Sequence, residues 1–77
     1  MGKKSLRRER FENVAARRTQ KILDFLDSLG NCANRSNYEY TDEDVRKMFS
    51  AIKEKTRITE SAFGSAINRS EKNRFTF

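Results

Sequence analysis

The sequence contains no proline, no tryptophan and no histidine, a single cysteine and three glycines among 77 residues. Without histidine there are no His-ligated metal sites and no acid–base mechanism that depends on imidazole. Cys32 has no second cysteine to pair with inside the chain, so no intrachain disulfide can staple the fold. With no second thiol or imidazole to assist it, neither a nucleophilic nor a zinc role is expected for it, and a small buried residue is the expectation. Apolar runs reach only two or three residues, far short of a membrane span or of the apolar segment of a signal peptide, and the expected location is cytoplasmic.

What is present is small and polar: 35% hydrophobic residues against 36% charged, in a mass of 9.0 kDa. A chain this short buries only about 60% of the surface its unfolded form exposes. Residues 1–77 are therefore expected as one small helical domain whose core stays marginal unless a partner or a second copy adds burial. A large enclosed active site does not fit in it. No Gly-rich phosphate loop or Cys-x-x-Cys occurs. Asp42, Glu43 and Asp44 are consecutive, so on a helix they point in different directions and suit capping better than metal binding. No catalytic residue, metal ligand or cofactor is expected, and the protein reads as non-enzymatic.

The charge is unevenly distributed. The chain carries 17 Lys and Arg against 11 Asp and Glu, a net +6. Residues 1–21 hold Lys3, Lys4, Arg7, Arg8, Arg10, Arg17, Arg18 and Lys21 against Glu9 and Glu12, a balance of +6. Residues 22–77 hold nine of each sign and balance at zero. A run of this kind draws the N-terminal segment toward a polyanion. Five of its eight cations are Arg, which meets phosphate or guanine through two parallel hydrogen bonds. A solvated helix end that serves only solubility is the competing reading.

With no proline and little glycine, the expected fold class is all-α. Its layout is a long N-terminal helix packed on a second helix, plus a short third helix and a C-terminal tail that is either flexible or docked. Phe11, Ala15, Ile22, Phe25, Leu26 and Leu29, flanked by Val14, recur at helical spacing and predict a helix from about Ser5 to Leu29. Residues 1–9 are expected as a frayed basic arm, because no apolar contact holds them. Gly30 is placed to end the helix in the left-handed conformation. Residues 30–40 are rich in Asn and Ser and read as a loop. Thr41 with Asp42, Glu43 and Asp44 marks a second helix start, with Tyr40 placed to staple onto Val45. Val45, Met48, Phe49 and Ile52 extend that helix to about Thr56. Thr59 with Glu60 reads as the start of the third helix, which carries Ala62, Phe63, Ala66 and Ile67 and is weakened by Gly64. Residues 68–77 form the tail, which ends on Phe75 and Phe77.

On a wheel of about 100° per residue, Lys3, Arg10, Arg17 and Lys21 form a stripe beside the apolar face of the first helix. At 1.5 Å per residue the stripe is roughly 27 Å long, enough to face several phosphates. Arg18 lies close to the apolar face. Arg46, Lys53 and Arg57 make a flank stripe on the second helix. In a plain antiparallel hairpin the two stripes would fall on opposite sides, so one continuous basic surface does not follow. Asp24 and Asp27 are within reach of Lys21 or Arg35. The loop supplies a second candidate site in Asn31, Asn34, Asn37, Tyr38 and Tyr40, whose amides and rings suit a partner surface or exposed bases. Caps, turns and a covered helix end account for the same residues without any partner.

The stretch from Val14-Ala-Ala-Arg-Arg-Thr-Gln-Lys-Ile-Leu-Asp through Leu29-Gly-Asn-Cys-Ala-Asn-Arg-Ser-Asn-Tyr-Glu-Tyr-Thr to Val45-Arg-Lys-Met-Phe-Ser-Ala-Ile, residues 14–52, resembles small uncharacterised proteins carried on conjugative and other mobile elements of Gram-positive bacteria. The resemblance implies a context of DNA-handling accessory factors, small regulators and inhibitors of host proteins, and assigns no residue a role. The expected function is a non-enzymatic accessory or regulatory protein that binds nucleic acid, duplex DNA before RNA, through the phosphates met by its basic N-terminal helix. The alternative is a small protein-interaction module or inhibitor of a host protein encoded by a phage or mobile element. A homodimer would present two basic segments together and cover apolar face that the second helix leaves open. A membrane partner is not expected, because the basic helix lacks Trp or a bulky apolar face near its start.

Overall fold

The structure, a computed structural model, describes residues 5–72, with side chains as far as Ser70. Its elements are a helix α1 over Leu6–Gly30, a single 3-10 turn over Asn31–Ala33, and a helix α2 over Asp42–Lys72. No strand occurs among the described residues. The chain divides into two units, one running to Glu39 and the other from Tyr40.

In the first unit, the backbone N–H of Arg8 donates to the Ser5 hydroxyl at 3.0 Å, which satisfies one of the amides a helix start leaves unpaired. Glu9 adds an acid to the positive end of the helix. These contacts explain why residues 6–9, expected as a frayed arm, are helical; Met1–Lys4 lie outside the described residues. At the other end, Gly30 keeps helical angles, φ −59° and ψ −29°, so the left-handed cap expected there does not form. α1 tightens instead into the 3-10 turn, and the Asn31 N–H donates to the Asp27 carbonyl. Asn34 then builds the turn that follows. Its side-chain oxygen accepts from the Ser36 N–H at 2.9 Å, and its carbonyl accepts from the N–H groups of Asn37 and Tyr38 at 3.1 and 3.0 Å.

In the second unit, Thr41 and Asp44 cap each other. The Asp44 N–H donates to the Thr41 hydroxyl at 3.1 Å, and the Thr41 N–H donates to the Asp44 carboxylate at 2.9 Å. Tyr40 and Val45 are both half-buried, at the two positions of a hydrophobic staple. α2 then runs 31 residues without interruption, so the second and third helices expected from the sequence are one. Thr56 and Thr59, read as the end of one helix and the cap of the next, turn their hydroxyls inward along α2. Thr56 donates to the Ile52 carbonyl and Thr59 to the Lys55 carbonyl, each at 2.8 Å. Neither hydroxyl caps an N-terminus. The tail expected from residue 68 is helical as far as Lys72, while residues 73–77, including Phe75 and Phe77, lie outside the described residues.

No described residue is buried. Each unit is one helix with its flanking turn, and an amphipathic helix has nothing within such a unit to close over its apolar stripe. On α1 the stripe leaves Phe11 49%, Ile22 59% and Phe25 74% exposed. On α2 it runs from Val45 through Ile52 and Phe63 to Ile67, with Phe63 and Ile67 56% and 60% exposed. Cys32, expected as buried, lies in the 3-10 turn and is exposed.

Candidate nucleic-acid interface

The cations of the basic segment separate into three groups on α1. With about 100° per residue, Arg10, Arg17 and Lys21 fall within roughly 40° of one another, about 100° round from Phe11. All three are exposed and pair with no acid among the described residues. They cover roughly 16 Å of helix axis at 1.5 Å per residue. A DNA strand presents a phosphate about every 3.4 Å of duplex axis, so the flank faces several on one strand.

Arg7 and Arg18 lie within the apolar arc, close to the directions of Phe25 and Phe11. Their guanidinium groups therefore interrupt the apolar stripe, Arg18 where the sequence placed it, close to that face. Arg8 is on the opposite flank and is already engaged. Its Nε donates to the Glu12 carboxylate at 3.1 Å, one turn on, and its guanidinium carbon lies 5.6 Å from the centre of the Phe11 ring. With Arg8 exposed and Glu12 half-buried at the helix surface, the ion pair is worth only about 0.3–0.5 kcal/mol. Even so, it turns Arg8 away from the flank that carries Arg10. Lys3 and Lys4 lie outside the described residues.

One acid near the stripe is otherwise occupied. Asp24, within reach of Lys21 by sequence, accepts instead from the Gln20 side-chain amide at 2.9 Å. Gln20 and Asp24 are four residues apart, where side chains meet on a helix surface. Lys21, three residues from Asp24, makes no ion pair with it and remains available to an outside anion.

The loop residues do not form a comparable site. Asn34 spends its side-chain oxygen on its own turn, and Asn31 closes α1 through its backbone. Asn37 and Tyr38 are exposed, Tyr38 by 53%, and belong to the first unit, whereas Tyr40 belongs to the second. On α2, Arg57 makes a forked contact with Glu54, donating from Nε at 3.0 Å and from the terminal nitrogen at 2.7 Å. That bond holds the Glu54 carboxyl below its ordinary value and raises Arg57 further, against a weak opposing effect of desolvation on each. Arg57 is thereby committed to its own helix, and Arg46 and Lys53 remain of the α2 flank.

Among the described residues no group of three His, Cys, Asp or Glu side chains is placed to hold a metal ion. No described helix is long and apolar enough to cross a membrane. No family model matches the chain, and no curated protein or solved structure matches it.

Proposed function

We propose that the protein is a non-enzymatic nucleic-acid-binding factor that meets the phosphates of duplex DNA through the flank of α1. The observation that carries this reading is the uncompensated line of Arg10, Arg17 and Lys21: no acid stands three or four residues from Arg10 or Arg17, and Gln20 takes Asp24, the one acid in reach of Lys21. Arg7 and Arg18 add positive charge beside it, and their forked donors suit phosphate geometry. Backbone contact of this kind positions a protein without reading bases, so the expected role is accessory or regulatory. The mobile-element context implied by residues 14–52, and a cytoplasmic location, fit such a role.

Three phosphate contacts predict that the logarithm of the binding constant falls with the logarithm of salt concentration at a slope of about −3, steeper if Arg7 and Arg18 also engage. Titrating the full chain against duplex DNA, single strands and RNA at several salt concentrations measures that slope and ranks the three ligands. Changing Arg10, Arg17 and Lys21 together to Glu should abolish binding without loss of helix, since all three are exposed. Undiminished binding by that variant, or no binding to any of the three at low salt, rejects the reading.

The exposed Phe11, Ile22 and Phe25 favour a second reading, a module whose α1 stripe docks on a protein partner. Complex formation that persists at high salt and fails when Phe25 is changed to Ala would distinguish it from phosphate binding.

A further inference from the structure

One line along α2, apolar at five of its eight positions and hydroxyl-bearing at the other three, keeps a strict alternation of four- and three-residue steps. Val45, Phe49, Ile52, Thr56, Thr59, Phe63, Ala66 and Ser70 follow one another in that rhythm, which is the seam of a two-stranded left-handed coiled coil. We infer that α2 pairs in antiparallel fashion with α2 of a second copy of this chain, about a twofold axis passing beside the midpoint of the helix.

Three observations converge on that partner and that direction. In antiparallel packing centred between positions 57 and 58, Phe49 of one copy meets Ala66 of the other, and Ile52 meets Phe63. Large residues thus face smaller ones in those layers, and the centre is the middle of the 31-residue helix. The central layer joins Thr56 to Thr59 of the second copy. Both hydroxyls already donate to carbonyls of their own helix, so this layer closes without stranding a donor. The edge of the seam is complementary in charge as well. Lys53 of each copy lies beside Glu60 of the other, giving two symmetric ion pairs. Arg57 and Glu54, which pair with each other, point away from the seam.

A parallel pair fits less well. It would set Phe49 on Phe49, leave Ala66 facing Ala66, and bring the two acidic first turns of Asp42, Glu43 and Asp44 together. Its ion pairs would also differ, since Lys55 and not Lys53 would then meet Glu60 across the seam.

That difference supplies the test, made by sedimentation equilibrium on the full chain at low salt, with helix content followed by circular dichroism. The wild-type chain should dimerise. Changing Glu60 to Lys places like charges at both symmetric pairs and should raise the dissociation constant about tenfold. Adding Lys53→Glu to that variant should restore dimerisation, while Lys55→Glu alone should leave the wild-type affinity unchanged. All three positions are exposed and at the seam's edge, so helix content serves as the control for folding. A chain that stays monomeric, as it would if α1 of the same chain covered the α2 seam, overturns the inference. So does a Glu60→Lys variant that dimerises as tightly as wild type, or one restored by Lys55→Glu instead of Lys53→Glu.

Discussion

Replacing Gly64 by alanine should strengthen α2, and the structure allows the size of the effect to be worked out. Gly64 lies within the helix, and no glycine among the described residues has positive φ, so the backbone there is one that alanine adopts without strain. A methyl group built on it meets no atom within 4 Å. Steric cost therefore does not offset the intrinsic preference of alanine over glycine in a helix interior, about 0.8–1.0 kcal/mol. That corresponds to a factor of roughly four to five in the equilibrium for propagating the helix through this position. The gain should be concentrated in the turns on either side, where amide hydrogen exchange at residues 60–68 should slow by a similar factor. Far-UV circular dichroism should show increased helix content, and the inferred α2 dimer should form at least as readily, because position 64 lies about 100° round the helix from Phe63 of the seam. The reasoning is refuted if helix content falls or exchange at those amides accelerates, since either would mean that the Gly64 backbone is in close contact with something a methyl group displaces.

Other outcomes can be checked on the same material. Thr41→Ala removes the oxygen that accepts from the Asp44 N–H and should cost about 1 kcal/mol at the start of α2, read as faster exchange at the amides of residues 42–45. Carbon-detected titration of Glu54 should give a midpoint below its ordinary value of 4.5, returning toward it in Arg57→Gln. Because that carboxyl is easier to ionise in the helix than in the unfolded chain, its contribution is fully present above pH 4.5 and is lost as pH falls through the lowered value. Glu54→Gln should remove that part of the acid-induced loss of helix.

Much of the local structure was legible in the residues. Ser5 and Thr41 are side chains that satisfy helix-start amides, and the apolar period of Phe11, Ile22 and Leu29 can be read directly, so the C-terminal end of α1 was expected to within a residue, while its first turn, expected as frayed, is formed. The excess charge before residue 22 is a matter of counting. Where the expectation failed, one residue type had two local roles. Thr59 can cap a new helix or donate back to a carbonyl four residues earlier, and Gly30 can turn left-handed or remain helical. Both alternatives use the same atoms, and the outcome depends on whether the chain continues in phase. The signal that would have settled α2 is the wheel: Phe63 stands 18 residues, five whole turns, beyond Val45 and so points in the same direction, which a broken helix would not preserve.

The sequence by itself determined that the chain is helical, where its helices start, and that its positive charge leads a neutral remainder, because capping, period and net charge are properties of residue type and spacing. Only the three-dimensional structure decided that Arg8 is engaged and that Lys21 is not. Arg8 reaches Glu12 and Gln20 reaches Asp24 because residues four apart meet on a helix surface, so Lys21 joins Arg10 and Arg17, which have no acid three or four residues away, on the open flank. It also decided that the Thr56 and Thr59 hydroxyls turn back onto their own backbone, which keeps α2 unbroken and makes its full apolar seam one surface.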